Sequence, residues 1–231
     1  MEKVQIIVLS RNYAEFLPDT INSIINQTYK DWHCYITDGG STDNSMQVAN
    51  SFSDKRITTI STLPDTSICR THPISRMSNS PYIMWIAADD KIEPTFLEEN
   101  IKVLEENNVD LVYNSYVQHK FSETGKHLGQ KECKLLTPEH DLMNGMYCGV
   151  FWLMKRKVWE DVGGFIVDGA MDYAFVLHAQ YNKVKMMYLD KNLGWYRDHP
   201  KSDSSSYTPF KFWELGETTR NIEKDRRNKC K

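Results

Sequence analysis

The stretch from Val4 to Leu9 is apolar at every position but Gln5, and the period then changes: Phe16, Leu17, Ile21, Ile24 and Ile25 recur at helical spacing. A strand with almost no polar face must be covered on both sides, and one that runs into an amphipathic helix opens a βα unit. The same alternation repeats downstream. His33 to Thr37 reads as a second strand, Ser41-Thr42-Asp43 as the cap of a helix carrying Met46, Val48, Ala49 and Phe52, and Ile57 to Ile60 as a short third strand. The apolar run Tyr82 to Ala87 stops at two aspartates. After Pro94, a residue suited to a first helical turn, Phe96, Leu97, Ile101 and Leu104 line one helix face, and Asp110 to Tyr113 is the next strand. The expected fold class is α/β, with a mostly parallel central sheet, right-handed crossovers and flanking helices, and with ligands bound beyond the carboxyl ends of the strands.

Beyond Tyr113 the pattern loosens. Ser115 to Asp141 is polar and charged, with Gly125 and Gly129, and reads as a strand excursion and a mobile loop. Cys148 to Leu153 reads as strand, Arg156 to Val162 as a short helix ended by Gly163-Gly164, and Tyr173 to Tyr181 as a helix. Val184 to Leu189 and Leu193 to Tyr196 close the pattern. A lid-like stretch, Pro200 to Ser206, follows His199, and Arg220 to Lys231 is a charged helix or frayed tail.

A chain of 231 residues that is 40% hydrophobic and 26% charged can bury one good core. Its net charge of −3, with basic residues scattered until the last dozen positions, argues against nucleic acid as a partner. The apolar start is too short for a signal peptide, and nowhere do about 18 apolar residues follow one another, so no membrane span and a cytoplasmic location are expected. Five cysteines, odd in number and without a C-x-x-C pair, read as reduced thiols rather than a disulfide framework or zinc site.

Two polar clusters fall at strand ends. In Thr37-Asp38-Gly39-Gly40, glycine lets the backbone approach a ligand, Asp38 can accept from a base N–H or ribose hydroxyl, and the helix start offers free amides. The P-loop and dinucleotide glycine signatures are both absent. In Asp89-Asp90, carboxylates at a strand end suit a hard divalent cation that bridges to a pyrophosphate and offsets its charge. Each cluster also has a structural alternative: a capped βα turn for the first, a solvated loop capping the next helix for the second.

Five segments together resemble family 2 glycosyltransferases of the GT-A fold. They are Leu9 to Leu17 with Ile24 to Tyr29; Thr37 to Asp43; Ser80 to Asp90 with Pro94; Gly163 to Phe165 with Met171 to Tyr173; and Tyr196 to Pro200. The likeness runs over about residues 4 to 205 in the family's order. It implies a catalytic domain over 1–205, a helical, charged tail over 206–231, and an inverting, metal-dependent transfer of a sugar from a nucleotide-diphosphate donor. UDP is the expected nucleotide, Mn²⁺ or Mg²⁺ the cofactor, and a hydroxyl of a glycan or glycoconjugate the acceptor. Under the resemblance Asp89 is the metal ligand with Asp90 beside it, and Asp38 meets the base. Ser10, Asn12, Asp65, Arg70 and Arg76 are placed against the donor, and Asp172 is the general base.

A carboxylate within reach of an alcohol can take its proton, which suits Asp172, although a helix N-cap explains it as well. Arg197 and His199 lie in a short segment where Arg197 can hold a diphosphate and His199 can add a metal ligand, or where both are ordinary loop residues. The chain departs from the family at Ala87, where the D-x-D motif has its first acid, at Gly39, and at Met171, where a glutamate usually precedes the base. Those departures motivate a first alternative, a catalytically weakened nucleotide-sugar-binding domain. A nucleotidyltransferase is the second.

Overall fold

In a computed structural model the described residues are 2–62, 73–141, 148–165, 171–202, and 217–225 without 219 and 223. Strand β1 (Val4–Ser10) is an interior strand of the sheet, buried along its whole length, Gln5 included. The Gln5 amide is satisfied by donating to the Ile74 carbonyl at 2.6 Å. β1 lies parallel to β2 (Trp32–Asp38) on one side and to β4 (Tyr82–Ala87) on the other, and β3 (Ile57–Ser61) extends the row beyond β2. Side chains alternate across these strands. Ile6, Val8, Ile36, Met84 and Ile86 pack into one cluster with helices α1 (Leu17–Ile25) and α3 (Phe96–Glu106). Ile7, Leu9, Tyr35, Ile83 and Trp85 pack into another with α4 (Arg156–Val162) and α5 (Met171–Tyr181). Helices on both faces are what the apolar run at the start of the chain demands.

Parallel pairing dominates the sheet as expected, and beyond β4 antiparallel strands join it. Its order is β3-β2-β1-β4-β8-β6-β9-β5, with β7 on β6. β8 (Trp152–Lys155) runs antiparallel to both β4 and β6 (Leu111–Phe121), while β9 (Met186–Asp198) is parallel to β6. The two-residue β5 (Lys91–Ile92) pairs antiparallel with β9. The loose stretch after Tyr113 is a hairpin of β6 and β7 (His127–Cys133), polar because its far half leaves the core. The two apolar runs near the end are one 13-residue strand, β9, whose exposed middle residues Asp190, Lys191 and Asn192 sit at a register irregularity opposite Asn114 and Ser115. A side chain at Gly194 would drive a Cβ to 2.3 Å from the Phe151 ring, so β9 approaches the core there by having none.

Boundaries moved by a few residues elsewhere. The short α2 (Ser45–Asn50) stops before Phe52, α3 starts after Pro94, and the predicted strand at Cys148 begins at Trp152. α4 ends as expected, on Gly163 in the left-handed conformation at φ 84°. Of the expected tail, Arg220 donates to the Tyr173 hydroxyl at 3.5 Å. Cys34, Cys133 and Cys148 are free thiols.

Candidate active site

The loops that leave β1 and β2 are stitched together at the carboxyl edge of the sheet. Asn12, held at φ 59° in the left-handed region that asparagine tolerates, accepts from the Thr42 amide at 2.8 Å, and its own amide donates to Ser41 Oγ at 2.8 Å. The Tyr13 amide donates to Ser45 Oγ at 3.0 Å and the Ala14 amide to Asp43 Oδ2 at 3.1 Å. Asp43 also accepts from the Ser45 amide at 3.0 Å, capping α2 from one residue further out than its N-cap position. Ser10 is buried, and its carbonyl accepts from the Gly39 amide at 2.9 Å. Buried Asp38 accepts from the Ser41 amide at 2.9 Å and from the Ser41 hydroxyl, which fixes its carboxylate at the mouth of this cradle.

The second group lies one strand away, just past the end of β4. Asp89 and Asp90 are both buried. His199, equally buried, brings Nε2 to 3.0 Å from Asp89 Oδ2, across 110 residues of chain. The Lys201 amide donates to His199 Nδ1 at 3.2 Å, which leaves the ring proton on Nε2, directed at Asp89. Asp90 Oδ1 accepts from the Arg197 amide at 2.9 Å. Burial, and then the Asp89 charge, push the Asp90 carboxyl well above the ordinary carboxylate range, against the pull of the Arg197 amide and guanidinium. Among the described residues, His199 is the one side chain within ion-pair distance of either aspartate.

This donor set suits a divalent cation. Asp89 Oδ2 and His199 Nε2, 3.0 Å apart, are the atoms that would hold it. With its ring proton on Nε2, His199 would be a less ready ligand than Asp89. No group of three His, Cys, Asp or Glu ligands forms among the described residues, so further coordination would come from ligand oxygens and water.

Asp172 sits in the first turn of α5, where Oδ1 accepts from the Tyr173 amide at 2.8 Å. The residue keeps some exposure, yet enough protein surrounds its carboxyl that burial raises its pKa, only partly opposed by that amide and its own. Burial pushes the Cys148 thiol up, and the Asp172 charge adds to the push. The helix is anchored by Phe175, stacked on Trp152 and Trp159 with ring centroids 5.6 and 5.5 Å apart. A carboxyl raised by burial and carried on a well-packed helix can act as a base.

The family described as glycosyl transferase family 2 matches residues 5–163, more than half of the chain. The chain belongs to that family. Among curated relatives, the glycosyltransferase GlyA of Streptococcus pneumoniae is 27% identical over 228 residues, covering 90% of this chain and 32% of its own length. The chain thus spans about a third of that relative. Among solved structures, Staphylococcus aureus TarS in complex with UDP-GlcNAc aligns with a TM-score of 0.72 at 16% identity, over 96% of this chain and 66% of that one. The mannosyltransferase PcManGT of Pyrobaculum calidifontis, in complex with GDP-Man and Mn²⁺, aligns with a TM-score of 0.64 at 18% identity, over 84% and 56% of the two chains. The fold they share with this chain is the GT-A fold.

As a family 2 domain the chain assembles the expected residues unevenly. Ser10, Asn12 and Asp38 share one cradle, and Asp89, Asp90, Arg197 and His199 share the cluster beside it. Asp172 stands on the α5 side of the sheet. Asp65 and Arg70 lie outside the described residues. Arg76 is not brought to the site: it is exposed near the amino end of β4, beside Arg156 and Trp159 and a strand's length from Asp89. Arg197 is turned inward, with Nε donating to the Asp89 carbonyl at 2.8 Å and Nη2 to Asp19 Oδ2 at 2.8 Å. Sequence reasoning passed over Thr20, whose buried hydroxyl meets the carbonyls of Ala88 at 2.8 Å and Asp90 at 2.7 Å. The signal was present: Thr20 is the polar member of the buried face formed with Leu17, Ile21 and Ile24. No described helix is long and apolar enough to cross a membrane.

Proposed function

We propose that this domain transfers a sugar from a UDP-sugar to a hydroxyl of a glycan or glycoconjugate, with inversion at the anomeric carbon and with Mn²⁺ or Mg²⁺. The observation that carries this reading is the buried pair Asp89–His199, with Asp90 beside it, next to the Asp38 cradle at the carboxyl ends of parallel strands. Carboxylates gathered there with no lysine or arginine side chain at ion-pair distance among the described residues suit a site whose charge a ligand completes. Asp38 and Asn12 at that edge suit the nucleoside. Asp89, with His199 behind it, would hold the metal, which when bound neutralises charge on the departing diphosphate. Asp172 takes the proton of the acceptor hydroxyl as its oxygen bonds to the anomeric carbon. The bond to the diphosphate breaks with its electron pair leaving on UDP, so one displacement from the opposite face inverts the centre. The UDP-GlcNAc bound by TarS supports the donor, and the Mn²⁺ bound by PcManGT supports the metal.

A second reading, donor binding without turnover, is favoured by Ala87 and Met171 standing where the family usually has acids. Family membership weighs against a nucleotidyltransferase. Release of UDP from a panel of UDP-sugars, with Mn²⁺ and candidate acceptors, tests both readings. Turnover lost in Asp172→Asn with UDP binding retained is the expected result. Undiminished turnover in that variant overturns the base assignment, and donor binding by the wild type without any turnover favours the second reading.

A further inference from the structure

Arg197 is 7% exposed, and its guanidinium carbon lies over three rings, 4.7 Å from Phe16, 4.6 Å from Trp195 and 5.2 Å from Phe121. Inside that aromatic box Nε donates to the Asp89 carbonyl and Nη2 to Asp19, both at 2.8 Å, while the Arg197 backbone amide holds Asp90 Oδ1 at 2.9 Å. A guanidinium is a rigid plane, so fixing Nε and one Nη removes its rotation. Asp19 is in the first turn of α1, and the next residue, Thr20, holds the Ala88 and Asp90 carbonyls. Three consecutive carbonyls, from residues 88 to 90, are therefore tied to the start of α1, one of them through Arg197.

On this geometry, and resting on the metal-dependent donor binding proposed above, we propose that Asp19 is a positioning residue. Acting through Arg197, it sets the backbone of Asp89 so that its carboxylate meets the metal and diphosphate. Arg197 then serves as the rigid link in this chain of contacts, not as a ligand of the diphosphate. The Asp19 side chain is 55% exposed, so its replacement strands no buried carboxylate, and asparagine keeps a side-chain oxygen that can accept from Nη2 of Arg197. The consequence falls on orientation at the site, where residues behind a metal ligand typically change affinity by about 10- to 100-fold when lost.

The experiment is UDP binding by calorimetry to wild type, Asp19→Asn and Asp19→Glu, each with and without Mn²⁺, alongside thermal unfolding. The expected result is that Asp19→Asn lowers the Mn²⁺-dependent gain in UDP affinity by about 10-fold. Its metal-free UDP affinity and unfolding midpoint stay near wild type, and Asp19→Glu recovers part of the gain. A merely structural role at the start of α1 would move the midpoint and both affinities together, which overturns the proposal. Tighter metal-free UDP binding in Asp19→Asn also overturns it, since that would mark a freed Arg197 binding phosphate directly. An unchanged Mn²⁺-dependent gain in Asp19→Asn overturns it as well. If the wild type itself shows no Mn²⁺-dependent gain, the metal reading falls first and this proposal falls with it.

Discussion

The two ends of β4 each hold charge, half-buried at one and buried at the other, and they are finished differently. Near the amino end, Arg156 donates from Nε to the Ser80 carbonyl at 2.5 Å, from Nη1 to the Ser75 carbonyl at 2.7 Å and from Nη2 to Gln5 Oε1 at 2.7 Å. Neutral dipoles belonging to the fold surround that cation, and Gln5, the polar residue in an otherwise apolar strand, is there to supply one. Just past the carboxyl end, Asp89 and Asp90 receive, among the described residues, one imidazole N–H and one backbone amide between them. The first arrangement is complete without a ligand. The second concentrates negative charge in a dry place and leaves acceptor capacity over, which natural folds retain mainly where function requires it.

The comparison breaks if altering the carboxyl edge changes only stability, or if altering the amino end changes donor binding. The largest expected effect is on turnover: Asp172→Asn should lower kcat by about 10²- to 10⁴-fold, measured as UDP release at saturating donor. Next, Asp89→Ala should abolish the Mn²⁺-dependent part of UDP affinity in calorimetry, and an intact Mn²⁺-dependent part would show that the metal binds elsewhere. At the other end, Arg156→Met keeps the apolar stem but strands the Gln5 carbonyl and two backbone carbonyls. It should cost about 2 kcal/mol in urea unfolding and leave the UDP affinity unchanged.

The smallest expected effect is a trend with pH. Burial raises the Asp172 carboxyl in the folded protein, so its contribution to stability is full below the unfolded pKa and is lost as pH rises through the folded one. Asparagine carries no such loss. The unfolding midpoint of Asp172→Asn relative to wild type should therefore rise between about pH 4 and about pH 7. A flat or falling difference would show that the carboxyl is well solvated.

Legibility followed distance along the chain. The strand from Val4, the helix Arg156–Val162 with its glycine stop, and the turn at Asp38 were readable because period, cap and terminator lie within a few residues of each other. The far half of the sheet was not. Asp110 to Tyr113 announced a strand, but its continuation to Phe121 and its partner His127–Cys133 are held by pairing across a hairpin, with little apolar patterning of their own. β9 was split in two because its middle is exposed and irregular in register. At the site, the acids are legible as types at strand ends, whereas Arg197 reads as a diphosphate contact or an ordinary loop residue and is turned inward by Asp19 and three rings.

By itself the sequence determined that this chain builds parallel βα units and presents Asp38 and Asp89 at their carboxyl ends, since both follow from local period and strand termination. Only the tertiary structure decided that His199 reaches Asp89, that Arg197 bridges Asp89 to Asp19 across 178 residues, and that Arg76 faces away. Those contacts depend on the order of strands in the sheet and on which helix covers which face. Order and coverage minimise the free energy of the whole packed chain, and no short window of residues carries that information.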